Sequence, residues 1–298
     1  MNWKHALKDY QLYLKIERGL SKNSIDNYAL DLKKLIAFIE VNKINQSPIN
    51  ISQEIMQQFI YNAAKHINAR SQSRLISGLR SFFNYLVFED YRKDNPLEFI
   101  ESPKIGRKLP DTLSEQEIDQ IIKAIDLSKP EGERNRAILE TLYGCGLRVS
   151  ELVNLKISDL FFDEGFIKVT GKGNKQRFVP IIDVTKKYIN SYRNNIRNHI
   201  AIKNGHEDTL FLNRRGRQLT RAMIFTIIKQ LAKKIELKKN ISPHTFRHSF
   251  ATHLLQNNAD LRSIQLMLGH ESITTTEIYV HLDKSHLTEI IEKYHPRK

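Results

Sequence analysis

Residues 101–110 divide the chain. The stretch Glu101-Ser102-Pro103-Lys104-Ile105-Gly106-Arg107-Lys108-Leu109-Pro110 holds two prolines, a glycine and three cations with little apolar periodicity. Neither a helix nor a strand can run through it, because proline removes a backbone donor and restricts the residue before it. A chain of 298 residues interrupted a third of the way along is expected to build two cores. We read residues 1–100 as one domain, 101–110 as an extended linker and 111–298 as a second domain.

The first segment has helical periodicity throughout. Trp3, Ala6, Leu7, Tyr10 and Leu14 recur at i, i+3, i+4, i+7 and i+11, which places them on one helical stripe. Gly19 stops that helix, and Ser21 or Ser24 caps a second with Ile25, Tyr28, Leu32 and Leu35 inward. Asn50 with Gln53 reads as a capping pair before Ile55, Met56, Phe59 and Ile60. Leu75, Leu79, Phe82, Phe83 and Leu86 mark a fourth helix. A bundle of four or five helices follows, closed by Asn95-Pro96.

The second segment opens with Thr112-Leu113-Ser114-Glu115-Gln116-Glu117, where Thr112 or Ser114 caps a helix. Helical spacing continues through Ile118, Ile121 and Ile122, then Ala137, Ile138 and Leu142. Near residue 160 the period changes to that of strands: Leu160-Phe161-Phe162, Phe166-Ile167-Lys168-Val169-Thr170 and Arg177-Phe178-Val179-Pro180-Ile181, separated by turns at Asp163-Glu164-Gly165 and Gly171–Gln176. Pro180 fits an edge or a strand end. From about residue 184 the chain is mainly helical again. The fold class is therefore mainly α with a small antiparallel sheet.

Composition narrows the partner. Lys and Arg number 47 against 33 Asp and Glu, a net charge of +14, and both segments are net positive. Such a surface draws polyanions by releasing their counterions, which points to nucleic acid. The single cysteine, Cys145, rules out an internal disulfide and fits a reducing compartment. The start, Met1-Asn2-Trp3-Lys4-His5, has no apolar signal core, and no run approaches the ~20 residues of a membrane span. A cytoplasmic protein is the expectation.

Six residues carry candidate chemistry: Arg148, Lys172, His244, Arg247, His270 and Tyr279. Arg148 follows Gly144-Cys145-Gly146-Leu147, where the backbone can turn tightly, and precedes Ser150, a potential helix cap; Glu151 is placed to orient an arginine. His244 and Arg247 stand three apart after Pro243, a helix start. His244 and His248 match the spacing of two zinc ligands, but Thr245 stands where a metalloprotease helix has glutamate. Lys172 sits between two glycines at a turn that lacks the spacing of a phosphate-binding P-loop. Arginine forks match phosphate oxygens, and a tyrosine hydroxyl, with an ordinary pKa near ~10, becomes a nucleophile among cations. Together the set suits a phosphodiester without a metal.

The segments Gly144–Leu155, Val169–Ile181, Ser242–Leu255 and Leu268–His281 resemble the ordered signature boxes of the tyrosine site-specific recombinases, the phage integrase family. The likeness is greatest to the XerC/XerD group, leaning toward XerD, and covers essentially the whole length. Cys145, Phe246 and Glu277 depart from the residues common in those boxes, but none falls on the six positions. The resemblance implies a helical, SAM-like core-binding domain and a mixed α/β catalytic domain that clamp DNA. It implies that Tyr279 attacks the scissile phosphate to form a 3′-phosphotyrosyl bond. Arg148, Arg247 and His270 would hold the non-bridging oxygens, Lys172 would protonate the leaving 5′ oxygen, and His244 would assist proton transfer. The bond energy stays in the adduct, so neither ATP nor a metal cofactor is implied.

Chromosome-dimer resolution at cell division is the implied role, with integration of a mobile element or plain DNA binding as alternatives. Implied partners are a duplex recombination site, a second related recombinase in a heterotetrameric synapse, and an FtsK-like DNA translocase. A last helix, capped by Asp283 and carrying Leu287, Ile290, Ile291 and Tyr294, would reach a neighbouring protomer or pack on its own. Arg70, Arg74, Arg80, Lys175 and Arg221 are the candidate DNA contacts; phosphate contact alone would give them no sequence choice.

Overall fold

A computed structural model describes residues 1–104, 106, 111–269 and 284–297. The chain forms two compact units, Met1–Lys108 and Leu109–Lys298. Among the described residues of the first, four helices are formed: α1 (Trp3–Ile16), α2 (Lys22–Val41), α3 (Gln53–Ala64) and α4 (Ala69–Phe88). Ser21, not Ser24, caps α2 by accepting the Ser24 amide. Ser52, not Asn50, caps α3 by accepting the Ile55 amide. The Asn50 side chain instead accepts from the Ser47 amide and hydroxyl, closing the turn before the helix.

The inward stripes meet as their spacing requires. Tyr10 on α1 packs edge-on to Phe82 on α4, ring centres 5.3 Å apart, and its hydroxyl bonds Ser81. Leu75, Leu79, Phe82, Phe83 and Leu86 are all buried. α2 and α4 cross closely at Gly78, where an added Cβ would stand 2.6 Å from the buried Asp31 carboxylate. Arg74 neutralises that carboxylate with two hydrogen bonds of 2.7 Å. This core is made of side chains from its own unit.

The second unit begins with α5 (Glu115–Lys123), whose cap is a reciprocal pair: Ser114 accepts the Glu117 amide and Glu117 accepts the Ser114 amide. α6 (Gly132–Gly144) is buried along most of its length and is the spine of the unit. α7 (Val149–Val153) follows. Strands β1 (Leu160–Phe161), β2 (Phe166–Thr170) and β3 (Gln176–Pro180) form an antiparallel sheet in the order β1-β2-β3. Ile167 faces Val179, and Val169 faces Arg177. Pro180 ends the edge strand, where its missing donor costs no ladder bond. α8 (Asp183–Asn195), α9 (Arg221–Lys234), α10 (Pro243–Gln256) and α11 (Leu261–Leu268) surround the spine.

The last helix, α12 (Lys284–Tyr294), packs on its own unit. Ile290 and Ile291 are buried in the core of the second unit. Asn257 on α10 donates to the Tyr294 carbonyl at 2.8 Å, and Arg297 pairs with Asp119 at 2.9 Å and with the buried Glu140. The proposed cap Asp283 lies outside the described residues.

Truncating Phe82 to Ala should destabilise the first unit by about 3–5 kcal/mol, as expected for a buried aromatic. Denaturant unfolding followed by circular dichroism should show an early transition for that unit, while the transition of the second unit keeps its midpoint.

Candidate active site

One buried carboxylate gathers three arginines. Glu151, on α7, has a side chain 1% exposed. Its Oε1 accepts from Arg148 Nη1 at 2.9 Å and Arg177 Nη1 at 2.8 Å. Its Oε2 accepts from Arg177 Nη2 at 3.0 Å and from the Arg148 backbone amide at 2.8 Å. Arg247 Nη1 stands 3.8 Å from the same oxygen. Arg148, not Ser150, is therefore the residue at the head of α7, and Glu151 satisfies its amide there.

The same arginines also cap another helix. Three successive carbonyls end α11, and each accepts from a different guanidinium: Met267 from Arg177 Nε at 2.8 Å, Leu268 from Arg247 Nη2, and Gly269 from Arg148 Nη2 at 3.1 Å. Helix C-termini leave such carbonyls unpaired and partly negative, so cations belong there. Arg247 Nη1 also reaches the Gly146 carbonyl at 2.8 Å. Gly146 has φ +57°, and a Cβ there would meet Phe250 of α10 at 2.5 Å. The glycine thus lets the loop before Arg148 lie against the helix that carries Arg247.

Charge is left over. Three guanidiniums face one carboxylate and one helix end, leaving an excess of about +1.5 elementary charges. Burial pushes the Glu151 pKa up, but the Arg177 hydrogen bonds and charge, with those of Arg148, more than reverse this and hold it below the usual carboxylate range. Burial, then the nearby Arg148 charge, lowers the Arg247 pKa to about 9, so the group stays cationic at neutral pH. Arg247 and Arg177 are largely buried, whereas the Arg148 side chain is 32% exposed and opens the cluster to solvent. This is a preorganised site for an anion with oxygens to be gripped in pairs.

The family model described as "Phage integrase family" matches residues 111–286, and "Phage integrase, N-terminal SAM-like domain" matches residues 7–90. The tyrosine recombinase XerD of Staphylococcus haemolyticus is 41% identical over 291 residues, covering 98% of each chain. That of Oceanobacillus iheyensis is 42% identical over 294 residues, covering 98% of this chain and 99% of its own. The chain is a tyrosine recombinase of the phage integrase family. Among solved structures, it is similar to the XerH site-specific recombinase bound to palindromic difH substrate in a post-cleavage complex, with 26% identity, a TM-score of 0.70, and coverage of 91% of this chain and 80% of that one. The recombinase thus has the mainly helical fold with a small antiparallel sheet expected of a site-specific DNA strand-exchange enzyme.

The structure brings Arg148, Arg247 and Glu151 of the recombinase together as neighbours. His244 is exposed in the first turn of α10, one turn ahead of the buried Arg247. Lys172 is in a short 3-10 turn at the β2–β3 tip; its side chain, like His270 and Tyr279, lies outside what is described. Among the described residues, no group of three or more His, Cys, Asp and Glu could hold a metal, and no helix is long and apolar enough to cross a membrane. His253 accepts or donates to the Tyr143 hydroxyl at 2.7 Å inside the core. Cys145 is buried in the core, which pushes its thiol up to about 12.

Of the candidate DNA contacts, Arg70, Lys175 and Arg221 are exposed, the last at the first turn of α9. Arg74 is half-exposed but committed to Asp31, and Arg80 donates to the Leu97 and Ile100 carbonyls. These two arginines hold the first unit together, a structural use that net charge alone does not reveal. Arg177 is the member of the cluster that sequence reasoning leaves as an ordinary strand residue. The signal was its parity: it shares the inward face of β3 with Val179, a core position where a lone cation is costly.

Glu151→Ala would leave the arginines uncompensated and should destabilise the catalytic unit by about 3–5 kcal/mol, measured by denaturant unfolding. Because the Glu151 pKa is lowered by folding, its contribution is complete above its ordinary value of 4.5 and disappears as pH falls through the folded value. Glu151→Gln should therefore flatten the acid limb of the stability–pH curve; an unchanged limb would exclude this carboxylate as its source.

Proposed function

We propose that this recombinase cuts and rejoins DNA at a specific site through a 3′-phosphotyrosyl link, resolving chromosome dimers at cell division. The observation that carries the reading is the under-compensated arginine cluster, built on Arg148 and Arg247 in a chain about two-fifths identical to XerD relatives along its length. XerH, captured with difH before and after cleavage, supports a duplex recombination site as the substrate.

In this reading the Tyr279 phenol oxygen attacks phosphorus while the P–O5′ bond breaks. Arg148, Arg247 and His270 stabilise the charge on the non-bridging oxygens, and Glu151 holds the arginines in place. Lys172 gives a proton to the departing 5′ oxygen, and His244 assists in moving the proton lost by the phenol. The freed hydroxyl of a partner strand then attacks the phosphotyrosine, restoring a phosphodiester. Since one ester bond replaces another, the exchange needs neither ATP nor a metal.

Residues 1–100 would serve as the core-binding domain, 101–110 as the linker and 111–298 as the catalytic domain. Arg70, Lys175 and Arg221 are the exposed cations proposed for DNA contact. A second recombinase would complete a heterotetramer, an FtsK-like translocase would act on it, and the work would take place in the cytoplasm.

A duplex nicked beside the cleavage point should trap the recombinase covalently. Tyr279→Phe should abolish trapping in denaturing gels while leaving gel-shift affinity within about threefold; adducts with the Phe variant would remove Tyr279 as nucleophile. Affinity should fall steeply as salt rises, following released counterions.

A further inference from the structure

We propose that Arg177 is a positioning residue that sets the reach of Lys172 toward the leaving oxygen. This inference rests on the reading of Lys172 as general acid and deepens it.

Arg177 stands near the foot of the turn that carries Lys172. The strands below that turn are in register through Val169 opposite Arg177 and Thr170 opposite Gln176, and Gly171 N–H closes the turn onto the Lys175 carbonyl at 2.8 Å. From β3 the guanidinium spans both oxygens of Glu151 and the Met267 carbonyl, joining the hairpin to α7 and α11. Its packing is equally specific. A Cβ on Gly171, the residue before Lys172, would stand 3.4 Å from Glu151 Oε1 and 3.6 Å from Arg177 Nη1. The backbone from which Lys172 departs therefore rests on the Glu151–Arg177 pair.

The phosphate-gripping arginines have other supports. Arg148 is held by Glu151 and the Gly269 carbonyl, and Arg247 by the Gly146 and Leu268 carbonyls. Arg177 shares the Glu151 oxygens with Arg148 but touches none of these three carbonyls. The end of α11 likewise keeps its bonds from Arg148 and Arg247 when the Met267 bond is lost. Removing Arg177 should thus loosen the hairpin more than the oxyanion site, and the step that suffers should be delivery of the proton to the 5′ oxygen.

Single-turnover cleavage by the full chain, on nicked duplexes with either an ordinary 5′ oxygen or a bridging 5′ sulfur at the scissile bond, tests this. A sulfur leaves without needing a proton. Arg177→Ala should slow the oxygen substrate by about tenfold or more, a fraction of what a general acid supplies. It should weaken DNA affinity by less than it slows the oxygen substrate, and cut the sulfur substrate within about threefold of the parent rate at saturating enzyme. Arg177→Lys keeps the charge but cannot bridge Glu151 and Met267 together, so it should show the same selective defect, which decides the matter should the Ala variant fail to fold. Equal slowing of both substrates, or no slowing of either, would overturn the proposal. Lys172→Ala on the same pair separates the two levels: if sulfur does not rescue it, the general-acid reading fails, whereas rescue of Lys172→Ala without rescue of the Arg177 variants sinks the positioning role alone.

Discussion

The Glu151 carboxylate is the point on which the catalytic unit turns. It is almost wholly buried, so left unpaired it would be strongly destabilising. Two guanidiniums and a helix-starting amide neutralise it, and a third guanidinium lies just beyond hydrogen-bond range. Without it, three arginines from three elements would repel one another in a largely dry space. With it, they are held at fixed spacing before any substrate arrives.

The compensation is deliberately short of complete in physical effect. One carboxylate and the carbonyls ending α11 offset part of the charge, and the remainder is available to an incoming anion through the partly exposed Arg148. Such preorganisation avoids reorienting dipoles when an anion arrives. The guanidiniums matter twice, because they cap α11 and also surround Glu151.

Positive charge and available charge proved to be different quantities. Arg74 and Arg80 sit on a helix suited to DNA by spacing, yet one neutralises Asp31 where α2 and α4 cross and the other ties the helix to the carbonyls of Leu97 and Ile100. Arg297 likewise fastens the C-terminal segment to Asp119 and Glu140 of the same unit. Each of these side chains strengthens a core edge, while Arg70 and Arg221 are exposed at the surface.

Local rules were enough for the elements themselves. Period 3.6 in Leu75–Leu86 and period 2 in Phe166–Thr170 set helix and strand, and Ser21, Ser114 and Pro243 mark starts where the chain does turn into helix. The order of the signature boxes carried the family, and with it Arg148, Arg247 and Glu151, which the fold brings together as neighbours. Where neighbouring residues competed, tertiary contacts decided: Ser52 displaced Asn50 as a cap because Asn50 was engaged by Ser47, and α12 found its partners on its own unit. Arg177 shows the physical reason most clearly. Its partners lie 26 residues away at Glu151 and 90 at Met267, and Arg148 meets Gly269 across 121. Periodicity and capping act within a few turns, so they shape each element; which charged groups share one buried carboxylate depends on how those elements pack, and only the folded chain determines that.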